Sequence, residues 1–364
     1  MGHFRKNCIT LFMTTQCNLQ CSYCYLQDIH LPVQSIDFEF AKQGIRDFAR
    51  QTDQLHIRFF GAGEPTLEFQ KIVALTSFAK DFFGKNTKIE IQTNGVFTRQ
   101  VATWLGENAD IVWVSLDGPP SIQDCQRYTL GGKGTSEIIE RNISIMMSTS
   151  EKITVGARAT ITPNNLYRQT EMLEYFYGLG IKAVFSDPVF PPVEFNKTNV
   201  ARLPLESDFN LLYAKEFVKA HERAEELGIY YGSIFTVNFD EKVNVFCRAC
   251  LPSPHLTTDG FVTCCDMSFL GSILPELIYG EYNPKTNSIE YDQNRIDKIR
   301  MRRVENLQEC QGCEILSNCA GACFGEGVNE TGKLLGVKKD YCEAIKFLAQ
   351  HTKRNENLSP YLHP

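Results

Sequence analysis

The chain has 364 residues, of which 43% are hydrophobic, and a formal net charge of −6. That length and composition allow two domains with a sizeable core, and the spread of both charge signs excludes the basic footprint of a nucleic-acid-binding protein. No run reaches the ~18 apolar residues of a membrane helix and no signal peptide is recognisable, so we expect a cytoplasmic protein without a nucleic-acid or membrane partner.

The first two-thirds of the sequence alternates between apolar, β-branched runs and stretches of helical periodicity. Several of the apolar runs are uninterrupted, as in strands that are buried on both faces. Six strand–helix units of ~30 residues predict an α/β fold, in which a parallel sheet forms a partial (β/α)6, TIM-like barrel. The predicted strands are 8–13, 55–60, 87–92, 111–116, 153–161 and 181–185, and the predicted helices are 37–50, 67–82, 98–107, 135–148, 165–178 and 207–227, the last ending at Gly228.

The character of the sequence changes after about residue 240, where cysteines become frequent. The segment 255–264 predicts a β-hairpin that turns at an Asp-Gly pair. Helical pattern is sparse from there to a last predicted helix near 341–354. We therefore expect a barrel domain at 1–240 and a small cysteine-rich domain at 241–364, which metal helps to hold together.

The 14 cysteines form two groups, three near the start and nine between Cys247 and Cys342. In a reducing compartment clustered thiols indicate metal rather than disulfides. Cys8 and Cys125 stand apart from both groups, and we expect them to be inert buried thiols.

The first group places Cys17, Cys21 and Cys24 within eight residues, directly after the first predicted strand. Three ligands leave one coordination position open, which suits chemistry better than scaffolding. The alternative is a zinc site whose fourth ligand lies elsewhere, for example His30 or His56.

The segment Cys17-Asn-Leu-Gln-Cys21-Ser-Tyr-Cys24-Tyr resembles the signature loop of the radical S-adenosylmethionine superfamily, and later loops of the chain match that family too. The resemblance implies a [4Fe–4S] cluster on the three cysteines, with S-adenosylmethionine chelating the open iron. In the family, an electron from the cluster cleaves this cofactor to a 5′-deoxyadenosyl radical, which takes a hydrogen atom from the substrate. The protein orients the cofactor and keeps water away. An electron donor such as flavodoxin or ferredoxin is an implied partner.

The loops after the next strands supply the residues that the resemblance places around S-adenosylmethionine. The segment 62–65 stands where the family has Gly-Gly-Glu-Pro, and an alanine replaces the first glycine, at a cost of about 1 kcal/mol if that position needs a positive φ. Arg158 is expected to pair with the cofactor carboxylate, and the alternative is a structural ion pair inside the barrel. The implied cofactor-binding residues are Tyr23, Ala62, Gly63, Glu64, Thr93, Asn94, Ser115, Asp117 and Arg158.

Seven later cysteines match the motif of the SPASM domain, which follows such barrels in peptide-modifying enzymes. The motif reads Cys250-x9-Gly-x4-Cys265, Cys310-x2-Cys313-x5-Cys319-x3-Cys323 and Cys342. The resemblance implies two auxiliary [4Fe–4S] clusters, and therefore three clusters in all. It assigns one auxiliary cluster to Cys310, Cys313, Cys319 and Cys342, and the other to Cys250, Cys265 and Cys323.

The fourth ligand of this last cluster is open between two cysteines. Cys247 lies three residues before Cys250 and is preferred. Cys264 adjoins Cys265 and would point to the opposite face of a strand.

Asp266 directly follows one of the implied ligands. The chain also resembles anaerobic sulfatase-maturing enzymes, in which an aspartate at the matching place deprotonates the substrate side chain. Desolvation is expected to raise the pKa of Asp266, as a catalytic base requires. The alternative is a surface aspartate beside a hairpin.

Together these features predict a peptide or protein maturase, in which a substrate radical loses an electron to the auxiliary clusters. The product is an oxidised residue or a new crosslink. The alternatives are sulfatase maturation, which forms a formylglycine, and radical dehydrogenation of a small molecule. Because Cys17 comes too early for the leader-binding domain that begins many peptide maturases, we expect a leader to bind either a separate leader-binding protein or the barrel surface.

Overall fold

The structure, a computed structural model, describes residues 8–24, 26, 31–190, 207–239 and 241–352. The strands of the barrel region, β1 to β7, are Ile9–Phe12, Leu55–Phe60, Thr87–Thr93, Ile111–Ser115, Thr154–Ile161, Ala183–Pro188 and Tyr230–Gly232. Its helices, α1 to α7, are Phe38–Ala49, Phe69–Phe83, Arg99–Asn108, Pro120–Gln126, Ser136–Thr149, Gln169–Gly178 and Phe209–Leu227.

Strands β1 to β7 run parallel and are neighbours in chain order. Each crossover contains helix, as parallel pairing requires. All the residues of β1 and of β6 are buried, in agreement with strands covered on both faces. The predicted α/β fold with a parallel sheet is therefore confirmed, and the sheet is open rather than a closed barrel.

Local sequence determines where several helices begin and end. The carboxylate of Asp37 accepts a hydrogen bond from the Phe40 amide at 2.8 Å, so α1 begins after a capping side chain. Helix α7 ends at Gly228, as predicted, because φ there is +67° and glycine adopts that conformation without strain. The short elements α4 and β7 were not predicted, because seven and three residues are too few to establish a period.

The cysteine-rich region extends the same sheet. Its strands β8 to β11 are His255–Leu256, Phe261–Thr263, Ile278–Asn283 and Ser288–Tyr291, and its helices α8 to α11 are Gln293–Arg300, Leu316–Cys319, Phe324–Thr331 and Cys342–His351. Strands β8 and β9 form the predicted hairpin, and β8 also pairs in parallel with β1. This pairing brings the cysteine-rich region beside the strand that leads into the first cysteine loop.

Three helices, α8 to α10, and a second hairpin of this region were not predicted. Helix α8 buries only Ile299, so its sequence lacks the apolar face from which an amphipathic helix is predicted. The described helices include none that is both long and apolar enough to cross a bilayer.

Candidate active site

A cleft of about 290 Å³ opens at the carboxyl ends of the parallel strands. Cys21 and Cys24 line it on one side and Asp266, from the cysteine-rich region, also lines it. Between them lie side chains from the ends of β2 to β6, which include Arg58, Gln92, Ser115, Arg158 and Asp187.

The first cysteine loop is fixed by main-chain hydrogen bonds to the segment after α4. The Gln20 and Ser22 amides donate to the Tyr128 and Gln126 carbonyls, each at 2.8 Å. Burial raises the pKa of the Cys17 and Cys21 thiols to about 11, so these sulfurs hold protons until a metal displaces them.

The zinc alternative finds little support in this geometry. The His56 Nε2 atom lies 2.9 Å from a carboxylate oxygen of Glu90, and His30 lies outside the described residues. Within the described part of the chain, no three His, Cys, Asp or Glu side chains are arranged to hold a single metal ion. Of the two isolated cysteines, Cys8 is buried as predicted, but Cys125 is exposed in α4, so the prediction of a buried thiol is wrong there.

The carboxylate of Glu64 joins two of the predicted cofactor loops. It is buried and accepts hydrogen bonds from the Thr66 amide and hydroxyl at 3.0 and 2.6 Å, from the Thr93 hydroxyl at 2.6 Å and from the Asn94 amide at 2.7 Å. Asn94 continues the contact, since its side-chain nitrogen donates to the Asn18 side-chain oxygen at 2.8 Å. Glu64 thus connects the loops after β2 and β3 to the cysteine loop.

The backbone of the 61–65 loop packs directly on the cysteine loop. The Gly63 amide donates to the Thr14 carbonyl at 3.0 Å and the Glu64 amide to the Gln16 carbonyl at 2.7 Å. A Cβ atom on Gly63 would lie 1.8 Å from the Gln16 carbonyl oxygen, so only glycine fits. Ala62 does not have a positive φ, and its methyl group therefore adds no backbone strain.

We predict that Gly63→Ala separates these two loops, because the methyl group displaces the Gln16 backbone and breaks both hydrogen bonds. The expected cost is about 1–3 kcal/mol in the free energy of unfolding, with weakened cluster binding. Denaturant unfolding and iron content after reconstitution measure the two effects. Gly178→Ala, where an added Cβ meets nothing within 4 Å, is the control. Equal stability of the two variants would contradict the close fit at Gly63.

The carboxylate of Asp117 binds the other side of the cysteine loop. One oxygen accepts from the Tyr23 hydroxyl at 2.7 Å, from Arg127 Nε at 2.9 Å and from Gln126 Nε2 at 3.2 Å. The other accepts from the Thr160 amide at 2.9 Å. Asp117 is fully buried, so its contribution here is to hold Tyr23 against the loop after α4. Ser115, two residues earlier, lines the cleft directly.

Arg158 reaches the cleft from β5 and is paired with an aspartate of β6. Its Nη2 donates to Asp187 at 3.0 Å, and its guanidinium lies over the Phe185 ring at 5.4 Å from the centroid. The other oxygen of Asp187 accepts from the Ile234 amide at 2.7 Å, which fixes the carboxylate. The structural ion pair is therefore present, and the side chain is still 24% exposed, toward the cleft that it lines.

Asp266 is held by two basic side chains that the sequence analysis did not select. Arg58 Nη1 lies 2.8 Å from each carboxylate oxygen, and His255 Nε2 lies 2.9 Å from one of them. Arg58 Nη2 donates to Gln92 at 3.1 Å, and the buried Glu90 lies 3.6 Å from its Nε. The Asp266 side chain remains 39% exposed, so one face of the carboxylate is open to the cleft.

The prediction of a raised pKa for Asp266 is wrong. Burial acts in that direction, but the charges of Arg58, His255 and Arg248 and the His255 hydrogen bond outweigh it and hold the pKa well below its ordinary value. The sequence prediction took only desolvation into account. Arg58 lies 208 residues from Asp266, so no local sequence pattern indicates that the two side chains form an ion pair. Asp266 is therefore ionised across the neutral range.

The later cysteines separate into two groups. Cys310, Cys313, Cys319 and Cys342 line one small cavity together with apolar side chains and Gly321. In the second group the pKa of Cys247 is raised well above its ordinary value by its hydrogen bond with Cys250, by burial, and by the charges of Cys250, Cys265 and Cys323. The two groups have the members that the motif resemblance assigns to two clusters, and their role as cluster ligands stays a prediction.

Residues 11–184 match the Radical SAM superfamily. The chain contains a radical SAM domain. Over 357 residues it is 23% identical to the cysteine-type anaerobic sulfatase-maturating enzyme of Clostridium novyi (strain NT), a match that covers 92% of this chain and 91% of that one. A radical SAM domain therefore spans residues 11–184, and the chain as a whole is similar to an anaerobic sulfatase maturase.

Two solved structures show the same fold. One is native anSMEcpe with bound AdoMet and Cp18Cys peptide, with a TM-score of 0.73, 17% identity and coverage of 94% of this chain and 96% of that one. The other is Streptococcus suis SuiB bound to precursor peptide SuiA, with a TM-score of 0.66, 16% identity and coverage of 93% and 76%.

A radical SAM domain implies S-adenosylmethionine and a [4Fe–4S] cluster, and the residues present fit that pair. The three cysteines lie on one loop that opens into the cleft, and that loop is fixed by Glu64 and Asp117 from opposite sides. The lining supplies hydroxyl and guanidinium groups for a polar cofactor, from Ser115 and Arg158.

Proposed function

We propose that this radical SAM enzyme oxidises a side chain of a peptide or protein substrate. The observation that supports this best is that Cys24 of the first cysteine loop and Asp266 of the cysteine-rich region line the same cleft. Cys265, which is adjacent in sequence to Asp266, belongs to the buried group of Cys247, Cys250 and Cys323. A substrate in the cleft would therefore lie between a site that generates radicals and a site that accepts electrons.

The oxidation removes two hydrogens from the substrate. When bound, the cluster and S-adenosylmethionine supply the 5′-deoxyadenosyl radical that takes the first of them as a hydrogen atom. The second would leave as a proton, which Asp266 would accept, and as an electron, which an auxiliary cluster held by the later cysteines would take. Arg58 and His255 lower the basicity of the Asp266 carboxylate but hold its free face toward the cleft, so its contribution to this transfer is orientation rather than a raised pKa.

The proposed auxiliary clusters use the two cysteine groups of the structure. Cys310, Cys313, Cys319 and Cys342 hold one [4Fe–4S] cluster, and the second is held by Cys247, Cys250, Cys265 and Cys323. With four protein ligands each, both clusters serve as electron carriers. The division of the chain into a radical-generating region, 1–240, and an auxiliary-cluster region, 241–364, is part of this proposal.

We predict that Cys247→Ala loses an auxiliary cluster whereas Cys264→Ala keeps all three. Cys247 is hydrogen bonded to Cys250, and the charge of Cys323 contributes to its raised pKa. The pKa of the buried Cys264 is affected by the charges of Cys265 and Cys250 but not by that of Cys323. Iron counts and electron paramagnetic resonance spectra of the two purified variants measure the difference. The reverse result would make Cys264 the fourth ligand.

A second candidate function is the maturation of a sulfatase by oxidation of its active-site residue to formylglycine. The match to a sulfatase-maturating enzyme along nearly the full length of both chains favours it. The peptide-bound state of anSMEcpe and of SuiB supports a peptide or protein substrate for either candidate.

Co-expression with each open reading frame that neighbours the gene tests the proposal. We expect one product, a short precursor peptide or a sulfatase, to lose hydrogen in a manner that depends on the three cysteines of the first loop. High-resolution mass spectrometry identifies the residue, and a requirement for a further protein would reveal a leader-binding partner. Activity on a small alcohol without any change in a polypeptide would contradict the proposal.

Flavodoxin or ferredoxin is the proposed electron donor.

A further inference from the structure

Arg302 is a buried arginine whose hydrogen bonds go to neutral acceptors. It follows α8 and is 1% exposed. Its Nη1 donates to the Leu334 and Gly336 carbonyls at 3.1 and 2.7 Å, and its Nη2 to the Gly321 carbonyl at 3.1 Å. Its Nε is buried without a hydrogen-bond partner in the described structure. Burying a cation among neutral groups is costly unless an anion compensates its charge.

The guanidinium lies beside the segment that connects the two later cysteine groups. Gly321, whose carbonyl it binds, stands midway between Cys319 of one group and Cys323 of the other. Gly321 also lines the cavity of the first group. On its other side the guanidinium lies 4.8 Å from the centroid of the Phe324 ring, directly after Cys323.

Two glycines border this side chain. A Cβ atom on Gly327 would lie 3.3 Å from Arg302 Nη2 and one on Gly321 would lie 3.6 Å from it, although the Gly336 carbonyl oxygen and a Leu307 methyl group lie closer to these two positions. Gly321 also has a φ of +78°, a conformation that other residues rarely adopt. The guanidinium is therefore closely surrounded by backbone.

Arg302 is therefore adjacent to both cysteine groups. The Gly321 residue that it binds lines the cavity of Cys310, Cys313, Cys319 and Cys342, and the Phe324 ring that it covers directly follows Cys323.

We propose that Arg302 is an electrostatic positioning residue, which raises the reduction potentials of both auxiliary clusters so that they accept the electron from the substrate. This inference rests on the proposed function, because it requires both auxiliary clusters. A cluster bound by four thiolates is an anion that becomes more negative on reduction, so a nearby buried cation stabilises the reduced form more than the oxidised form. The same anions compensate the otherwise unpaired charge of Arg302.

Reduction potentials of the loaded enzyme test this proposal. In Arg302→Met we expect the reduced-to-oxidised ratio of the auxiliary clusters at a fixed potential to fall about tenfold, which is about 59 mV for a one-electron couple. Arg302→Lys keeps the charge and is expected to retain most of the wild-type potential. Arg300→Met removes an exposed arginine two residues away and is expected to change nothing. Electron paramagnetic resonance during a redox titration follows each cluster separately.

Iron content distinguishes a failure of the proposed function from a failure of the proposed role of Arg302. If the wild-type protein binds only the iron of the first cluster, the proposed function fails. If it binds all three clusters and the potentials of Arg302→Met and Arg302→Lys both equal the wild-type values, the role of Arg302 is overturned while the proposed function stands.

A measurement on the wild-type protein covers the case in which these variants do not fold. Both auxiliary clusters are expected to have higher potentials than the cluster of the first loop, because the hydrogen bonds of Arg302 all go to the segment 321–336 of the cysteine-rich region. Auxiliary potentials equal to or below that of the first cluster would also overturn the inference.

Discussion

Replacing Cys17, Cys21 and Cys24 together with alanine is expected to abolish the cleavage of S-adenosylmethionine and to remove about four of the about twelve irons per chain that the proposed three clusters contain. The remaining iron is expected to stay because the later cysteines form groups that do not include this loop. Anaerobic reconstitution, iron and sulfide analysis, and assay of 5′-deoxyadenosine measure the result.

Cys125→Ala is the matched control for this variant. Cys125 is also exposed to solvent and lies in the same domain, but it belongs to neither cysteine group. Its replacement is expected to leave the iron content and 5′-deoxyadenosine formation unchanged. Production of 5′-deoxyadenosine by the triple variant would contradict the assignment of the three cysteines as cluster ligands.

The parallel sheet was predictable because its strands are buried on both faces. Every residue of β1 and β6 is buried, and their sequences begin with or consist mostly of apolar residues, which is the pattern that predicted them. The end of α7 was predictable for a local reason, because Gly228 takes a conformation that terminates helices. Both features depend on a few adjacent residues, which is the range over which sequence patterns are informative.

The grouping of the later cysteines was predictable, but the secondary structure around them was not. The cysteine spacing predicts two groups, and the structure brings Cys247 to the side of Cys250. Helix α8 buries a single residue and β11 is largely exposed, so neither has a hydrophobic period that sequence patterns could detect.

The environment of Asp266 was out of reach for sequence reasoning. Its position beside Cys265 was evident, but its partners come from β2 and β8, and the sheet brings them together only because β8 pairs with β1, which in turn pairs with β2. Arg58 and His255 convert an expected raised pKa into a lowered one. A long-range ion pair of this kind leaves no periodic signal in the sequence.

The second large effect is expected for Asp266→Asn. Asparagine preserves the shape of the side chain and can still accept a hydrogen bond from Arg58, so all three clusters and the formation of 5′-deoxyadenosine are retained. Product formation is expected to fall by ~10²–10⁴-fold, because the amide cannot take the proton that leaves the substrate. Because the pKa of Asp266 is lowered, the wild-type carboxylate remains ionised down to pH ~4 and below. Its loss of function by protonation therefore lies below that pH, and product formation should not decline near neutrality because of this group.

Mass spectrometry of the product and chromatography of 5′-deoxyadenosine, run on the same reaction, separate the two steps. Asp81→Asn, on the exposed side of α2, is the control for replacing a carboxylate by an amide, and it is expected to leave both yields unchanged. Equal loss of product and of 5′-deoxyadenosine in Asp266→Asn would instead indicate damage to the cofactor site. Product formation at the wild-type rate would show that Arg58 and His255 hold Asp266 for a structural purpose, because a carboxylate that is the base cannot be replaced by an amide without loss.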